Sequence, residues 1–189
     1  MVLPIYVYGE GILRQKTEEV REDSASLQQL IDDMIETMHV AAGIGLAAPQ
    51  VGRHERLFVV DLRAMAEEAA EQGEVLPPQP MVFINPELTW ESEEECEYEE
   101  GCLSIPDLRE SVLRPERVRM RYLDRTFTPQ EIEVGSLLAR VIQHEYDHLE
   151  GVLFVDRISP FRRRLLRRRL REMAKGEVEA DYPLFSRAG

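Results

Sequence analysis

The stretch QHEYDHLEG, residues 143–151, places two histidines four positions apart, with a glutamate directly after the first. Residues four apart lie one above the other on one face of an α-helix, so His144 and His148 can bind one metal ion together. Glu145 is displaced from that row, where its carboxylate can transfer protons without being a ligand. This H-E-x-x-H pattern predicts a hydrolytic metal site, although the pattern also occurs by chance on surface helices.

The residues around this motif favour a helix. Residues 137–150 contain neither glycine nor proline, Ser136 is a favourable N-cap residue, and Gly151 suits the position that ends a helix. Leu137 and Val141 extend the histidine row backwards, so an apolar wall would lead to the metal. Such a wall predicts a binding site for a hydrophobic substrate side chain, while both residues also fit ordinary core packing.

The third ligand distinguishes the classes of metallohydrolase. A metzincin has a further histidine three positions beyond the glycine, where this chain has Phe154. Glu172 could serve as the ligand of a metallopeptidase, but the surrounding arginines offer it simpler ion pairs. Cys102 is the better candidate, because it follows a glycine and because one thiolate with two imidazoles leaves the open position of a catalytic site. Cys96 is expected to be a small, half-buried residue.

The rest of the chain predicts an α+β fold. Apolar residues between positions 27 and 38 recur with helical spacing after Ser24 or Ser26, and Ser159 and Pro160 open a basic C-terminal helix. Strands are predicted at residues 57–62, 81–88, 91–100, 118–122 and 131–134, with an exposed acidic loop at 64–80 that has room for one helical turn. Mixed or antiparallel strands should therefore pack around a central metal-binding helix, with one helix N-terminal and one C-terminal to it.

Composition limits the classes of protein. The 189 residues, 43% hydrophobic and 31% charged, are typical of one soluble globular domain. Two cysteines argue against a disulfide framework, and no apolar run is long enough for a membrane span. The first residues show no secretory signal, so a cytoplasmic location is expected.

Charge is unevenly distributed. The net charge is −13, yet residues 157–175 carry nine arginines or lysines and one glutamate. A basic helix on an acidic protein predicts either a solvated face or a local anionic partner, and it does not indicate sequence-specific nucleic-acid binding.

Three segments together resemble peptide deformylases. GIGLAAPQ (43–50), EGCLS (100–104) and QHEYDH (143–148) resemble the three motifs of that family, in the family's order and at compatible spacing. The likeness extends to the N-terminal helix, to VFINPE and to GVLFVDRISP. It implies a single catalytic domain over residues 1–189, with residues 162–175 as its basic C-terminal helix. The implied reaction removes the formyl group from the N-terminal formyl-methionine of newly made polypeptides and releases formate.

The resemblance also assigns roles to residues. The implied metal ligands are Cys102, His144 and His148. The implied catalytic groups are the Glu145 carboxylate, as general base and later general acid, and the Leu103 backbone amide with the Gln50 side-chain amide, as oxyanion donors. The implied substrate-binding residues are Ile44, Gly45, Leu137 and Val141. The implied cofactor is one divalent ion, Fe²⁺ in the cell, with Zn²⁺, Ni²⁺ or Co²⁺ as substitutes.

Two further functions stay open beside deformylation. One is an H-E-x-x-H metallopeptidase that uses Glu172, and the other is a ribosome- or RNA-binding adaptor that acts through the basic helix. Deformylation and ribosome binding are not mutually exclusive, because an enzyme that acts on nascent chains could also dock on the ribosome through Arg162–Arg171. The likeness is of bacterial type and leaves an organellar location open. The chain departs from the family pattern in a longer 64–80 segment and in Arg140, at a position that is frequently apolar.

Overall fold

Four α-helices and nine β-strands form the part of the chain that the computed structural model describes, residues 1–188. The helices are α1 (Ala25–Val40), α2 (Ala66–Glu71), α3 (Ser136–Leu149) and α4 (Pro160–Ala174). The strands are β1 (Ile5–Tyr6), β2 (Gly45–Ala47), β3 (Leu57–Val60), β4 (Met81–Glu91), β5 (Glu95–Cys102), β6 (Ile105–Pro115), β7 (Val118–Leu123), β8 (Pro129–Val134) and β9 (Leu184–Phe185). This order confirms the predicted α+β class.

The central sheet has five antiparallel strands in the order β2-β3-β4-β7-β8. The strands β5 and β6 form a separate antiparallel hairpin, and β1 pairs in parallel with β9. No helix within residues 1–188 has the length and apolar character that a bilayer crossing requires. The strand pairings given above confirm the predicted mixed or antiparallel strands.

The strand β3 is buried on both faces, which explains its unbroken apolar sequence LFVV. Leu57 and Val59 pack in the cluster that contains the apolar face of α1, whereas Phe58 and Val60 pack with α3. Successive side chains of a strand point to opposite faces, so α1 and α3 cover opposite sides of the sheet. The helix with the two histidines thus lies in the interior of the fold, as predicted.

Helix α1 begins as the sequence predicts. The Ser24 hydroxyl accepts a hydrogen bond from the Leu27 backbone N–H at 3.2 Å, which satisfies one of the free donors at the helix start. Leu30, Ile31 and Met34 are buried, in keeping with the predicted apolar face.

The strand β6 was not predicted, because its inward face carries charge. Glu110 and Arg114 point inward and are buried, while Leu113 on the outer face is 51% exposed. The usual alternation of apolar inside and polar outside is therefore disturbed, and the pattern does not indicate a strand. The predicted strand over residues 91–100 is instead divided between the end of β4 and β5, with a turn between them.

The start of α3 corrects the prediction about Ser136. Ser136 is the first helical residue, with a φ of +50°, and its side chain does not cap the helix. The Glu74 carboxylate caps it instead, accepting hydrogen bonds from the backbone N–H groups of Leu137 at 3.2 Å and Leu138 at 3.0 Å. The segment 64–80 is thus not a free loop, since it contains α2 and delivers a capping residue to the central helix.

We expect Glu74→Ala to lower the free energy of unfolding by about 1 kcal/mol, because it removes an acidic cap from the positive end of the α3 dipole. Denaturant unfolding measures this change. Glu71→Ala is the matched control, because Glu71 is exposed at the end of α2 and has no ion pair within the described residues. Equal stability of the two variants would show that the Glu74 contact contributes nothing.

Helix α4 is capped as predicted, with the Ser159 hydroxyl accepting from the Arg162 N–H at 3.2 Å. Leu170 and Met173 are buried in a third apolar cluster together with Leu13 and Phe154. The C-terminal half of α4 therefore fixes this helix to the body of the fold.

Candidate metal centre

Helix α3 and the end of β5 bring together three residues that can bind a metal ion. His144 and His148 are 9% and 1% exposed, and their ring centroids lie 5.1 Å apart. The Cys102 Sγ is 3.3 Å from His148 Nε2, and one donor atom from each of the three residues falls within 4.8 Å of the others. Within residues 1–188, this is the group of histidine, cysteine and acidic side chains that is close enough to hold an ion.

Cys102 is placed by the hairpin of β5 and β6. β5 ends at Cys102 and β6 begins at Ile105, and the pairing register shifts between Gly101 and Cys102. The following turn is fixed to the N-terminal segment, because the Tyr8 N–H donates to the Ser104 carbonyl at 2.8 Å. The sulfur is thus held by a paired strand and an anchored turn.

The orientation of His144 is set by Glu100. The Glu100 Oε1 lies 2.8 Å from His144 Nδ1, so the other ring nitrogen is directed toward Cys102 and His148. Although burial opposes the charged form, hydrogen bonds from Arg114 and His144 lower the pKa of Glu100 well below its usual range. An ionised carboxylate on the far nitrogen is a common way of fixing a metal-binding imidazole.

The charges of the site also favour a cation. Burial disfavours the charged form of His144, but its hydrogen bonds to Cys102 and Glu100 raise its pKa well above the usual value. Burial and the neighbouring His144 lower the pKa of His148. The anionic surroundings that favour a positive charge on His144 would equally favour a metal cation bound in place of that proton. Sulfur and imidazole donors beside an anion therefore fit a transition-metal ion.

Arg140 lies behind the site and contacts the Glu100 carboxylate that orients His144. It is buried, and it donates to Glu100 Oε2 at 2.9 Å, to the Val112 carbonyl at 2.9 Å and to the Cys96 carbonyl at 2.6 Å. Its charge at a frequently apolar position is thus matched by a buried carboxylate. A charge buried without such a partner would cost several kcal/mol.

A second arginine extends this network. Arg114 donates to Glu100 at 2.6 and 2.9 Å and to Asp147 at 2.8 Å, and Arg157 also donates to Asp147. The network was not predicted from the sequence. The charged residues at inward positions of β6 were its only signal, and such residues are usually taken as solvent-exposed.

The Glu145 carboxylate is buried at the same site. Glu145 is 4% exposed, and its Oε2 has no hydrogen-bond partner within the described residues. Burial raises its pKa to about 7. A side chain at position 45 would place its Cβ 2.4 Å from Glu145 Oε1, so Gly45 leaves the space that the carboxylate needs. This group is suited to accept and return a proton near neutral pH.

A cleft of about 470 Å³ leads to the site and is lined by two of the candidate ligands, Cys102 and His144. Its lining includes all the residues predicted to bind substrate or to donate to an oxyanion, which are Ile44, Gly45, Gln50, Leu103, Leu137 and Val141. The Gln50 side chain is fixed by the Ala47 N–H at 2.9 Å, and its Nε2 lies 3.2 Å from Ser104 Oγ and 3.5 Å from Cys102 Sγ. Its amide therefore faces the metal site.

Several cleft residues were not predicted from the sequence, among them Met65, Tyr98 and Tyr182. Met65 comes from the segment after β3, Tyr98 from β5 and Tyr182 from the chain after α4. None lies within or beside a recognisable motif, so no sequence signal marks them.

The two competing residues lie away from the centre. The Cys96 sulfur contacts Arg140 at 3.4 Å and is not part of the ligand group. Glu172 is on the exposed helix α4 and forms an ion pair with Arg168 at 2.9 Å. The placement of Glu172 does not favour the metallopeptidase hypothesis.

Comparisons with known proteins agree with this geometry. The sequence model of the family described as "Polypeptide deformylase" matches residues 2–164. A peptide deformylase of Salinibacter ruber is 69% identical over 187 residues, which covers 99% of this chain and 96% of the relative.

Solved structures of peptide deformylases share the fold. The enzyme from Ehrlichia chaffeensis has a TM-score of 0.83 at 36% identity, covering 94% of this chain and 99% of that one. The enzyme from Legionella pneumophila has a TM-score of 0.80 at 38% identity, covering 94% and 98%. Because sequence and structure agree over nearly the whole length, the chain belongs to the polypeptide deformylase family.

Proposed function

We propose that this protein is a metal-dependent hydrolase that removes the formyl group from the N-terminal formyl-methionine of newly made polypeptides and releases formate. The observation that carries this proposal is the Cys102, His144 and His148 donor group beside the buried, unpartnered carboxylate oxygen of Glu145. Membership of the polypeptide deformylase family supports it.

Cys102, His144 and His148 would hold one divalent ion. When bound, such an ion supplies Lewis-acid activation of water and of the formyl oxygen. We propose Fe²⁺ as the ion in the cell, with Zn²⁺, Ni²⁺ or Co²⁺ as substitutes. A sulfur and two nitrogen donors suit these ions and not Mg²⁺ or Ca²⁺, which prefer oxygen ligands.

Glu145 acts as the proton carrier of the proposed reaction. Its carboxylate takes a proton from the attacking water and gives one to the departing amine. The carboxylate is buried at the site and one of its oxygens has no hydrogen-bond partner within residues 1–188, so it is free to hold that proton between the two steps.

Two amides stabilise the negative charge that develops on the formyl oxygen. These are the Leu103 backbone N–H and the Gln50 side-chain amide, whose orientation is fixed by Ala47. A donor of this kind typically contributes about 10²–10³ in rate.

The cleft can hold an extended peptide. β2 lies at the end of the central sheet, so a peptide can pair along its outer edge beside Ile44 and Gly45. Leu137 and Val141 form an apolar wall near the metal site, which suits the methionine side chain.

Formate release from a formyl-methionyl peptide, by protein purified without oxygen, tests the proposed function. We expect release of formate from this peptide and no cleavage of internal peptide bonds. Cleavage of an internal bond without formate release would favour the metallopeptidase alternative and contradict the proposal.

We also infer that residues 1–189 act as one catalytic domain in a bacterial-type cytoplasm, where formylated chains are made. The packing of Leu170 and Met173 from α4 against Leu13 and Phe154 supports the inclusion of the basic helix in this domain.

Docking on the ribosome through Arg162–Arg171 is proposed as a second property of the same protein. Arg164, Arg167 and Arg171 have no acidic partner within 4.0 Å among residues 1–188. Together with Arg163 they line a groove of about 670 Å³ between α4 and the N-terminal segment. Uncompensated arginines in one groove suit the phosphate groups of ribosomal RNA.

The triple variant Arg164→Ala/Arg167→Ala/Arg171→Ala tests this property. We expect weaker co-sedimentation with ribosomes, with the slope of log affinity against log salt reduced by about 2, and unchanged hydrolysis of a free formyl peptide. The matched control replaces Arg119 and Arg121 of β7 together with Arg117, which directly precedes that strand, and should co-sediment like the unmodified protein. Binding that is insensitive to salt, or equally reduced in both triple variants, would contradict docking through α4.

A further inference from the structure

The chain after α4 returns to the metal site. β9 pairs in parallel with β1, through hydrogen bonds from the Ile5 N–H to the Pro183 carbonyl at 2.8 Å and from the Val7 N–H to the Phe185 carbonyl at 3.1 Å. Phe185 also stacks on Tyr6, with ring centroids 4.2 Å apart. The strand β9 lies beyond position 164, where the match to the family's sequence model ends.

The pairing of β9 with β1 places Tyr182 at the turn that follows Cys102. The Tyr182 hydroxyl donates a hydrogen bond to the Leu103 carbonyl at 2.8 Å. Its half-buried ring lines the cleft and packs in the same cluster as the Leu103 side chain. Burial raises the pKa of Tyr182 above its usual value, so the hydroxyl keeps the proton that it donates.

Leu103 is held from several sides. Its side chain lies close to Gly43, where an added Cβ would come within 2.7 Å of Leu103 Cδ1. The carbonyl of the next residue, Ser104, accepts from the Tyr8 N–H. The Leu103 carbonyl itself accepts from the Tyr182 hydroxyl, so this contact is made by a side chain, unlike the backbone bond at Ser104.

We propose that Tyr182 is a positioning residue for the reaction, which fixes the Leu103 carbonyl and thereby the Leu103 backbone amide that faces the reacting formyl oxygen. This inference rests on the proposed function, because it assigns Leu103 the role of an oxyanion donor. It gives the C-terminal segment a part in the active site.

The metal-loaded, full-length Tyr182→Phe variant tests the inference, because it removes only the hydroxyl. We expect kcat for formate release to fall about threefold to tenfold, which corresponds to one ordinary hydrogen bond. The Leu103 N–H itself remains, so the loss stays below that of a deleted oxyanion donor. KM should stay within about twofold, because the cleft wall is retained.

Tyr122→Phe is the matched control. Tyr122 is half-buried on β7 and does not line the cleft, so this variant should keep the kcat of the unmodified protein. An unchanged kcat in Tyr182→Phe, a change in KM alone, or an equal loss in both variants would overturn the inference. Failure of the proposed function is a different result, since the unmodified protein would then release no formate.

Amide hydrogen exchange at Leu103 provides a readout that does not depend on turnover. In Tyr182→Phe we expect faster exchange at this amide than in the unmodified protein and in Tyr122→Phe. Unchanged exchange at Leu103 would show that the hydroxyl does not position this backbone.

Discussion

Glu145→Gln lowers kcat for formate release by about 10²–10⁴-fold, the range that general acid–base catalysis contributes. The replacement keeps the shape of the side chain and removes its ability to accept a proton. The neighbouring Glu100 carboxylate is not available for this role, because it is already bound to His144, Arg114 and Arg140. The bound metal should remain at the level of the unmodified protein, since Glu145 is not in the ligand group.

Formate assays with metal analysis of the same samples measure this effect. Glu150→Gln is the matched control, because Glu150 follows the same helix but pairs with Lys16 and Arg56 outside the cleft. Its kcat should equal that of the unmodified protein. Full activity in Glu145→Gln would contradict the role of Glu145 as proton carrier, whatever the control shows.

Cys102→Ala lowers metal affinity by at least about 100-fold, because the loss of a ligand should exceed the 10–100-fold effect of removing a residue that merely supports a ligand. Formate release should fall with the metal content. Cys102 supplies the sulfur of the three-residue group, and no other thiol lies within reach of His144 and His148 among residues 1–188.

The second cysteine of the chain is the control for this variant. Cys96→Ala removes a thiol that contacts Arg140, while the Cys96 carbonyl that accepts from Arg140 is kept. Metal content and activity should therefore stay unchanged. A Cys102→Ala protein that retains one ion per chain would refute the proposed ligand set.

Local patterns were sufficient to predict the elements that carry the centre. The spacing of His144 and His148 and the absence of helix breakers indicate one helix, and the structure has it at Ser136–Leu149. The apolar run of β3 indicates a buried strand, and its two faces pack against α1 and α3. In both cases the residues that indicate the element lie within it or directly beside it.

Long-range contacts could not be predicted in this way. Glu74 caps a helix 63 and 64 residues further along the chain, and Tyr182 reaches a carbonyl 79 residues before it. A glutamate in an acidic segment and a tyrosine near the end of the chain have many other uses, so their residue types alone do not indicate these contacts.

The buried charges show a different limit of sequence patterns. Binary patterning assigns Glu100, Arg114 and Arg140 to solvent, yet all three are buried, because the two arginines pair with Glu100 and Asp147 behind His144. The cost of burying each charge is offset only by the presence of the others. Such a cluster becomes recognisable once β5, β6 and α3 are known to meet.

Anomalous X-ray diffraction at metal absorption edges, from crystals of protein purified without oxygen, tests the central claim most directly. We predict one anomalous peak per chain, in contact with the Cys102 sulfur and with one nitrogen each of His144 and His148, and the edge will identify the ion. A peak held by other residues, or no peak between these three side chains in protein that releases formate, would contradict the account.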